Sequence, residues 1–379
     1  MGTQPEPVAR PSLGIGLLLE SDGPGGAEVV VLTLATGLVA AGCRVLVVVP
    51  EGGVGWLGSR CAERGIPTAT FRFRSAVDPG CLHGLIGLIR GHRLDLVHSH
   101  EFTLSVYGAA AAAATGRPHL TTIHGRGVFM ERLRNRIALR WAFRRSAARV
   151  AVSRATAEWL AAGLGIPSAR LEVVTNGVEE PRSSGVDPRA AFGVSAGDVL
   201  LLAVGNLYPV KGHRFLLEAL GRLRRSRPDL SWALVVAGEG AERAALASQA
   251  AAEGIADRVQ LLGHRLDVPD LLAAADLFVL PSLSEGTPMS LLEAMLAGKA
   301  VVVSAVGGIP DVLGPDASGI QVPPADVVAL TEALERTIAD PELRGRLGRE
   351  AQRRGREHYR AEIMVKRYLS LYRSVLASG

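Results

Sequence analysis

Short runs of β-branched and leucine residues recur along this chain, each followed by a stretch with helical spacing, and the alternation starts twice. That order confines the fold to βαβ units wound into parallel sheets. In the first series strands are expected near residues 13–19, 45–49, 68–73, 94–98, 119–123, 149–152 and 171–174. The segment 179–198 then loses any period, broken by Pro181, Gly185, Pro188, Gly193 and Gly197. Strands resume near 199–204, 232–236, 259–261, 277–280, 300–303 and 319–322. With 379 residues, 48% of them hydrophobic, the chain can fill two cores of ordinary size. The expected architecture is α/β: two Rossmann-like, doubly wound parallel-sheet domains facing a cleft. Their expected bounds are 1–180 and 199–355, with a linker at 181–198 and a C-terminal helix, 356–379, packing back on the first domain. Such folds bind ligands at the carboxyl ends of their strands, so functional residues are sought in the loops that follow strands.

Composition removes several classes of function. The longest apolar runs are strand-length, too short to span a bilayer. The polar, proline-rich start, residues 1–11, lacks the basic head and apolar middle of a secretory signal, so a cytoplasmic protein is expected. Cys43, Cys61 and Cys81 are far apart and without C-x-x-C pairing, which reads as ordinary buried or semi-buried thiols. A net charge of +5 favours anionic partners, but aromatics are only 4% and none interleave with the basic clusters, so no nucleic-acid partner is expected.

The most informative segment is Glu285-Gly286-Thr287-Pro288-Met289-Ser290-Leu291-Leu292-Glu293, directly after the strand expected to end at residue 280. Pro288 suits the first turn of a helix, which leaves Glu285 in the loop and puts Glu293 one to two turns along. Free amides at that helix start, near Ser290 and Leu291, suit an anion such as a pyrophosphate, and carboxylates accept hydrogen bonds from sugar and ribose hydroxyls. Either glutamate alone would read as a solvated acid. Gly25 and Gly26, after the first strand, suit a tight turn that lets backbone approach a phosphate or sugar closely, or a plain turn.

These motifs, taken in order with Ser282-Leu283-Ser284, Gly298 and Val306-Gly307-Gly308-Ile309-Pro310-Asp311, resemble the retaining glycosyltransferases of family 4, which share the GT-B fold. The resemblance extends to Gly25-Gly26-Ala27-Glu28, Asp95-Leu96-Val97-His98-Ser99-His100, Thr122-Ile123-His124-Gly125 and Val174-Thr175-Asn176-Gly177-Val178. It implies transfer of a sugar from a nucleotide-diphosphate sugar, a UDP-sugar on family frequency, to a glycan or lipid-linked acceptor, with no cofactor. In the roles it implies, Glu293 holds the ribose hydroxyls, Glu285 contacts the transferred sugar, and amides near Ser290 and Leu291 hold phosphate. Lys211, in Gly205-Asn206-Leu207-Tyr208-Pro209-Val210-Lys211-Gly212, would neutralise the pyrophosphate, and His124 would contact the donor sugar. The family more often has arginine where Asn206 stands; Arg265, after a later strand, is a candidate to restore that charge. The first domain would then be the acceptor side and the second the nucleotide-sugar side.

His98, His100 and His124 fall near strand ends, but no carboxylate or thiol cluster joins them and no Asp-x-Asp motif occurs, so no metal site is expected. For His98 and His100 packing is favoured over ligation. Arg132, Arg136, Arg140 and Arg144 repeat at four-residue spacing beside Leu133, Ile137 and Trp141. Such a helix either lies on anionic lipid, as peripheral contact at the inner membrane face, or is solvated with its apolar row on the core; the second is the favoured expectation. A further run, Arg344, Arg346, Arg349, Arg353, Arg354 and Arg356, reads mainly as solvated helix. The rival readings are a nucleotide-sugar epimerase or phosphorylase of the same fold, a non-catalytic sugar-binding subunit, and a nicotinamide enzyme. The last lacks a complete G-x-G-x-x-G after a strand.

Overall fold

The computed structural model describes residues 12–74, 77–195, 197–315 and 318–378. The segment 1–11, read above as lacking a secretory signal, lies outside the described residues. The first series of elements is β1 (Gly14–Leu19), α1 (Gly26–Ala40), β2 (Arg44–Pro50), α2 (Trp56–Glu63), β3 (Thr68–Phe71), α3 (Pro79–Gly91), β4 (Leu96–His100), α4 (Phe102–Thr115), β5 (His119–Ile123), α5 (Leu133–Arg145), β6 (Ala148–Ala151), α6 (Arg154–Leu164) and β7 (Glu172–Val173). The second is β8 (Val199–Val204), α7 (His213–Ser226), β9 (Trp232–Ala237), α8 (Arg243–Ala252), β10 (Val259–Gly263), α9 (Val268–Ala274), β11 (Leu277–Leu280), α10 (Met289–Leu296), β12 (Ala300–Ser304), α11 (Ile309–Leu313) and β13 (Ile320–Val322), followed by α12 (Val327–Ala339), α13 (Pro341–His358) and α14 (Ala361–Ala377).

These strands form two sheets, ordered β3-β2-β1-β4-β5-β6-β7 and β10-β9-β8-β11-β12-β13. The chain divides into two compact units: residues up to Val150 with Leu160–Glu172 and the residues from Val365 on, and Ala151–Trp159 with Val173–Met364. Parallel pairing of β1 with both β2 and β4, and of β8 with both β9 and β11, creates a point in each sheet where the winding reverses. Loops leaving the carboxyl ends of the two strands at such a point diverge and leave room for a ligand.

Sheets covered on both faces demand unbroken apolar strands. Accordingly, Val45 to Val49 are all buried, and so are Leu277, Phe278, Val279 and Leu280. In the second unit Leu201, Leu234, Val279 and Val302 pack from adjacent strands against Leu216, Leu220, Leu330 and Leu334 of α7 and α12. Helix starts follow local chemistry: Asp78, Asp326 and Asp340 each accept a backbone N–H of the first turn they precede, a cap worth about 1 kcal/mol.

Several strand edges differ from expectation by one or two residues. The largest shift is in β4, which begins and ends two residues later than read and so takes in His98 and His100. Both are fully buried: His98 bonds Tyr372 Oη at 2.7 Å and Thr122 Oγ1 at 2.8 Å. They are packing residues, as favoured above. The basic run on α13 is mainly solvated, as read: Arg346, Arg349, Arg353 and Arg356 are exposed, while Arg344 and Arg354 are half-buried. Arg344 donates to the carbonyls of Thr337 and Ile338, Arg354 to those of Val312 and Asp311, and Arg356 pairs with Glu180. A guanidinium serves carbonyls left free at helix ends well, and periodicity alone does not reveal that use. Among residues 179–198, the only regular element of the described residues is the 3-10 turn Ala190–Phe192.

Candidate functional site

The loops after β8 and β11 flank the reversal point of the second sheet, and they meet. Lys211, on a 3-10 turn (Pro209–Lys211) of the first loop, places Nζ 2.8 Å from Glu285 Oε1 of the second. Ser282 Oγ donates to the same carboxylate oxygen at 2.6 Å. The side chains of Lys211 and Glu285 are 24% and 8% exposed, so the pair is largely withdrawn from water and little screened by it.

Backbone packing sets this contact. A Cβ on Gly212 would lie 2.1 Å from the Pro281 carbonyl oxygen, so the Lys211 loop rests directly on the start of the Glu285 loop; φ at Gly212 is +67°. Leu283 N–H donates to the Val210 carbonyl at 2.8 Å, tying the loops a second time. From the other side Gly307, with φ +54°, presses on Glu285, where an added Cβ would sit 1.8 Å from the Glu285 carbonyl oxygen. Gly308 N–H donates to the Gly286 carbonyl at 3.0 Å. Glycine is required at Gly212 and Gly307 because side chains would occupy both the wrong φ and the neighbour's backbone.

Pro288 stands at the N-cap of α10, one position earlier than the first-turn reading, and the helix begins at Met289. Ser290 and Leu291 are then its second and third residues, whose amides have no intrahelical acceptor. Leu291 is itself buried; Ser290 is half-buried. Glu293 lies one turn further on, also half-buried, and desolvation pushes its carboxyl up to about 7. Asn206 is exposed in the loop after β8. Arg265 does not stand free: Asp267 takes both Nε and Nη2, at 2.7 and 2.5 Å. That pairing neutralises the charge expected to stand in for the one missing at Asn206.

The first unit brings a different set together. Gly25 caps α1 in extended conformation, and a Cβ there would lie 2.4 Å from Glu28 Oε2. The Glu28 carboxylate thus folds back over the helix start, beside Gly25 and Gly26. A negative charge in that position complements the helix dipole and disfavours a phosphate at the turn. His124 follows β5 and shares a hydrogen bond with His100, Nε2 to Nδ1, at 2.8 Å. Burial lowers its pKa to about 4, so the imidazole is neutral at physiological pH, and its Nδ1 has no protein partner among the described residues.

Glu101 was not singled out by sequence. It directly follows β4 at φ +66°, ψ −179°, a conformation disfavoured for any residue but glycine. Its carboxylate accepts the His124 N–H at 3.2 Å, and its carboxyl is raised to about 8, by desolvation first and by the neighbouring Glu20 second. The available signal was its adjacency to His100 at a strand end, which the misplaced edge of β4 concealed. Ser282 was quoted in the motif without a role; the structure gives it the Glu285 carboxylate.

Residues 188–354 match the family described as glycosyl transferases group 1, and residues 24–182 match glycosyltransferase family 4. The chain belongs to this glycosyltransferase family. A 2-deoxystreptamine N-acetyl-D-glucosaminyltransferase from Streptomyces fradiae is 29% identical, covering 91% of this chain and 92% of that one. Glycogen synthase from Mycobacterium tuberculosis is 31% identical over 71% of this chain and 66% of its own. Among solved structures, Alr3699/HepE from Anabaena, in complex with UDP, superposes with a TM-score of 0.84 at 23% identity, covering 96% of this chain and 100% of that one. The two parallel sheets of this glycosyltransferase are those of the GT-B fold. Among the described residues, no helix is long and apolar enough to cross a membrane.

Proposed function

We propose that this glycosyltransferase works in the cytoplasm, moving a sugar from a UDP-sugar to a hydroxyl of a glycan or lipid-linked acceptor, with retention at the anomeric carbon. Its place would be in glycan, polysaccharide or glycolipid biosynthesis. The observation that carries the reading is the Lys211–Glu285 contact, made by the two loops at the reversal point of the second sheet. It sets one cation and one carboxylate side by side where a nucleoside diphosphate sugar presents a pyrophosphate next to a ring of hydroxyls. UDP in the Anabaena neighbour and sugar transfer in the curated relatives support the same ligand class.

In this reading Lys211 offsets pyrophosphate charge as the bond to the sugar lengthens, and the amides of Ser290 and Leu291 receive phosphate oxygens. Asn206 donates a neutral hydrogen bond beside them. Glu285, held by Lys211 and Ser282, orients the sugar hydroxyls, and a donor phosphate oxygen takes the acceptor proton on the same face. Glu293 accepts from the ribose hydroxyls. His124, neutral and with one ring nitrogen unengaged, contributes a hydrogen bond to the sugar. Domain roles follow: residues 1–180 serve the acceptor, residues 199–355 the donor.

The test is a thermal-shift screen across nucleoside diphosphates and their sugars, since a ligand that binds only the folded state raises the melting temperature by mass action. UDP or a UDP-sugar is expected to raise it; no shift with any nucleoside diphosphate at millimolar concentration would sink the reading.

Glu293 gives this site a pH dependence. Its folded pKa, about 7, lies above the ordinary value of 4.5, so the acceptor form prevails at pH 8 and the protonated form at pH 6. Affinity for the UDP-sugar is therefore expected to fall as pH drops through 7, by about tenfold between pH 8 and pH 6. A Glu293→Gln variant should bind weakly and without that slope. Calorimetric titration at the two pH values checks it, and a wild-type affinity equal at both would remove Glu293 from the ribose.

A further inference from the structure

Helix α5 contradicts the expectation that its apolar row faces the core. Leu133, Ile137 and Trp141 are 67%, 61% and 39% exposed, whereas Leu139, Ala142 and Phe143 make the buried face. Among the described residues no other helix exposes more than one large apolar side chain. At 3.6 residues per turn the three fall within roughly 80° of the helix circumference and about 12 Å of its length. Arg144 projects among them, and Arg134 and Arg145 line the adjoining edge; all three are exposed, and none enters an ion pair among the described residues. The Arg145 guanidinium lies 6.0 Å from the centroid of the Trp141 ring.

The four-residue arginine spacing turns out to mix two uses. Arg136 donates to the Gly163 carbonyl at 2.7 Å and Arg140 to the Leu164 carbonyl at 2.8 Å, closing the end of α6. Those two fix α5 in place and leave Arg134, Arg144 and Arg145 facing solvent. No acidic residue occurs anywhere on α5. An apolar strip flanked by unpaired arginines and lacking acids is complementary to a surface that is apolar beneath and anionic above.

We infer that α5 is a docking surface for an anionic phospholipid bilayer, with Leu133, Ile137 and Trp141 seated at the level of the acyl-chain boundary and Arg134, Arg144 and Arg145 among the headgroup phosphates. The helix lies in the plane of the interface rather than across it. This assignment is independent of the donor chemistry and stands or falls separately from it.

Co-sedimentation of the full chain with unilamellar vesicles tests it, using phosphatidylcholine alone and a phosphatidylcholine–phosphatidylglycerol mixture. The wild type should pellet with the anionic vesicles and remain in solution with the neutral ones. Each arginine removed should weaken binding about fivefold, so Arg134→Gln/Arg144→Gln/Arg145→Gln should weaken it about a hundredfold. Ile137→Ser/Trp141→Ser should weaken it at least about tenfold. All five side chains are exposed, so both variants should melt with the wild type. Brominated acyl chains should quench wild-type tryptophan fluorescence more than that of Trp141→Phe. Failure of the wild type to bind anionic vesicles, or equal binding by wild type and both variants, overturns the assignment. So does a wild-type dimer in solution that Ile137→Ser/Trp141→Ser abolishes, which would make the strip an interface between copies.

Discussion

Glu285→Ala is expected to lower turnover about a hundredfold while leaving UDP affinity unchanged or slightly tighter. Contacts to the transferred sugar strengthen as the glycosidic bond breaks, so their loss falls on the transition state more than on the bound ground state. The effect on UDP follows from the 2.8 Å contact. Without the carboxylate, Lys211 keeps a side chain only 24% exposed and loses its counter-charge, and a bound pyrophosphate replaces it. Lys211→Ala should do the reverse, weakening UDP by roughly 1.5 to 3 kcal/mol, the range for a charge-assisted hydrogen bond. Titrating UDP into both variants separates the roles. Equal weakening in the two would show that the pair acts only as a structural tie between loops.

The second large effect is expected at a residue that has no side chain of its own. In Gly307→Ala the new methyl would sit 1.8 Å from the Glu285 carbonyl oxygen, on a backbone with φ +54°. The strained backbone alone costs about 1 to 3 kcal/mol. The clash moves the loop that carries Glu285, and displacement of about 1 Å at a reacting centre can cost about a hundredfold in rate. Turnover should therefore fall nearly as far as in Glu285→Ala, together with a lower melting temperature, which Glu285→Ala need not show. Gly84→Ala in α3 is the control: an added Cβ there meets nothing within 4 Å, and neither activity nor melting should suffer. A Gly307→Ala protein with wild-type turnover would mean that the Glu285 loop is not held from this side.

The alternation of elements was legible because strands buried on both faces are mostly apolar, and 199–204 and 277–280 were read with their observed bounds; so was 119–123, although it carries His119, Thr121 and Thr122. Glu285 and Glu293 could be singled out because they follow a strand at a spacing that places them around a helix start, whereas Lys211 was singled out by the family resemblance. That Lys211 bonds Glu285 across 74 positions could not be read, because it depends on two loops resting on each other through Gly212 and Pro281. Helix α5 misled for another reason. It carries two apolar rows, and the one with the larger side chains, Leu133, Ile137 and Trp141, looks like the core face. Packing instead took Leu139, Ala142 and Phe143, and in that orientation Arg136 and Arg140 reach the carbonyls at the end of α6. Glu101 was lost to a two-residue error in one strand edge.

Release of UDP tests the central claim most directly: the purified protein is incubated with a panel of nucleoside diphosphate sugars without acceptor, and slow hydrolysis of the bound donor is followed beside the Glu285→Ala variant. The account predicts that one or a few UDP-sugars are cleaved by the wild type, and that the variant binds the same donors while cleaving them about a hundredfold more slowly. Cleavage at equal rates in the two proteins, or binding of UDP-sugars without cleavage of any by the wild type, would contradict it.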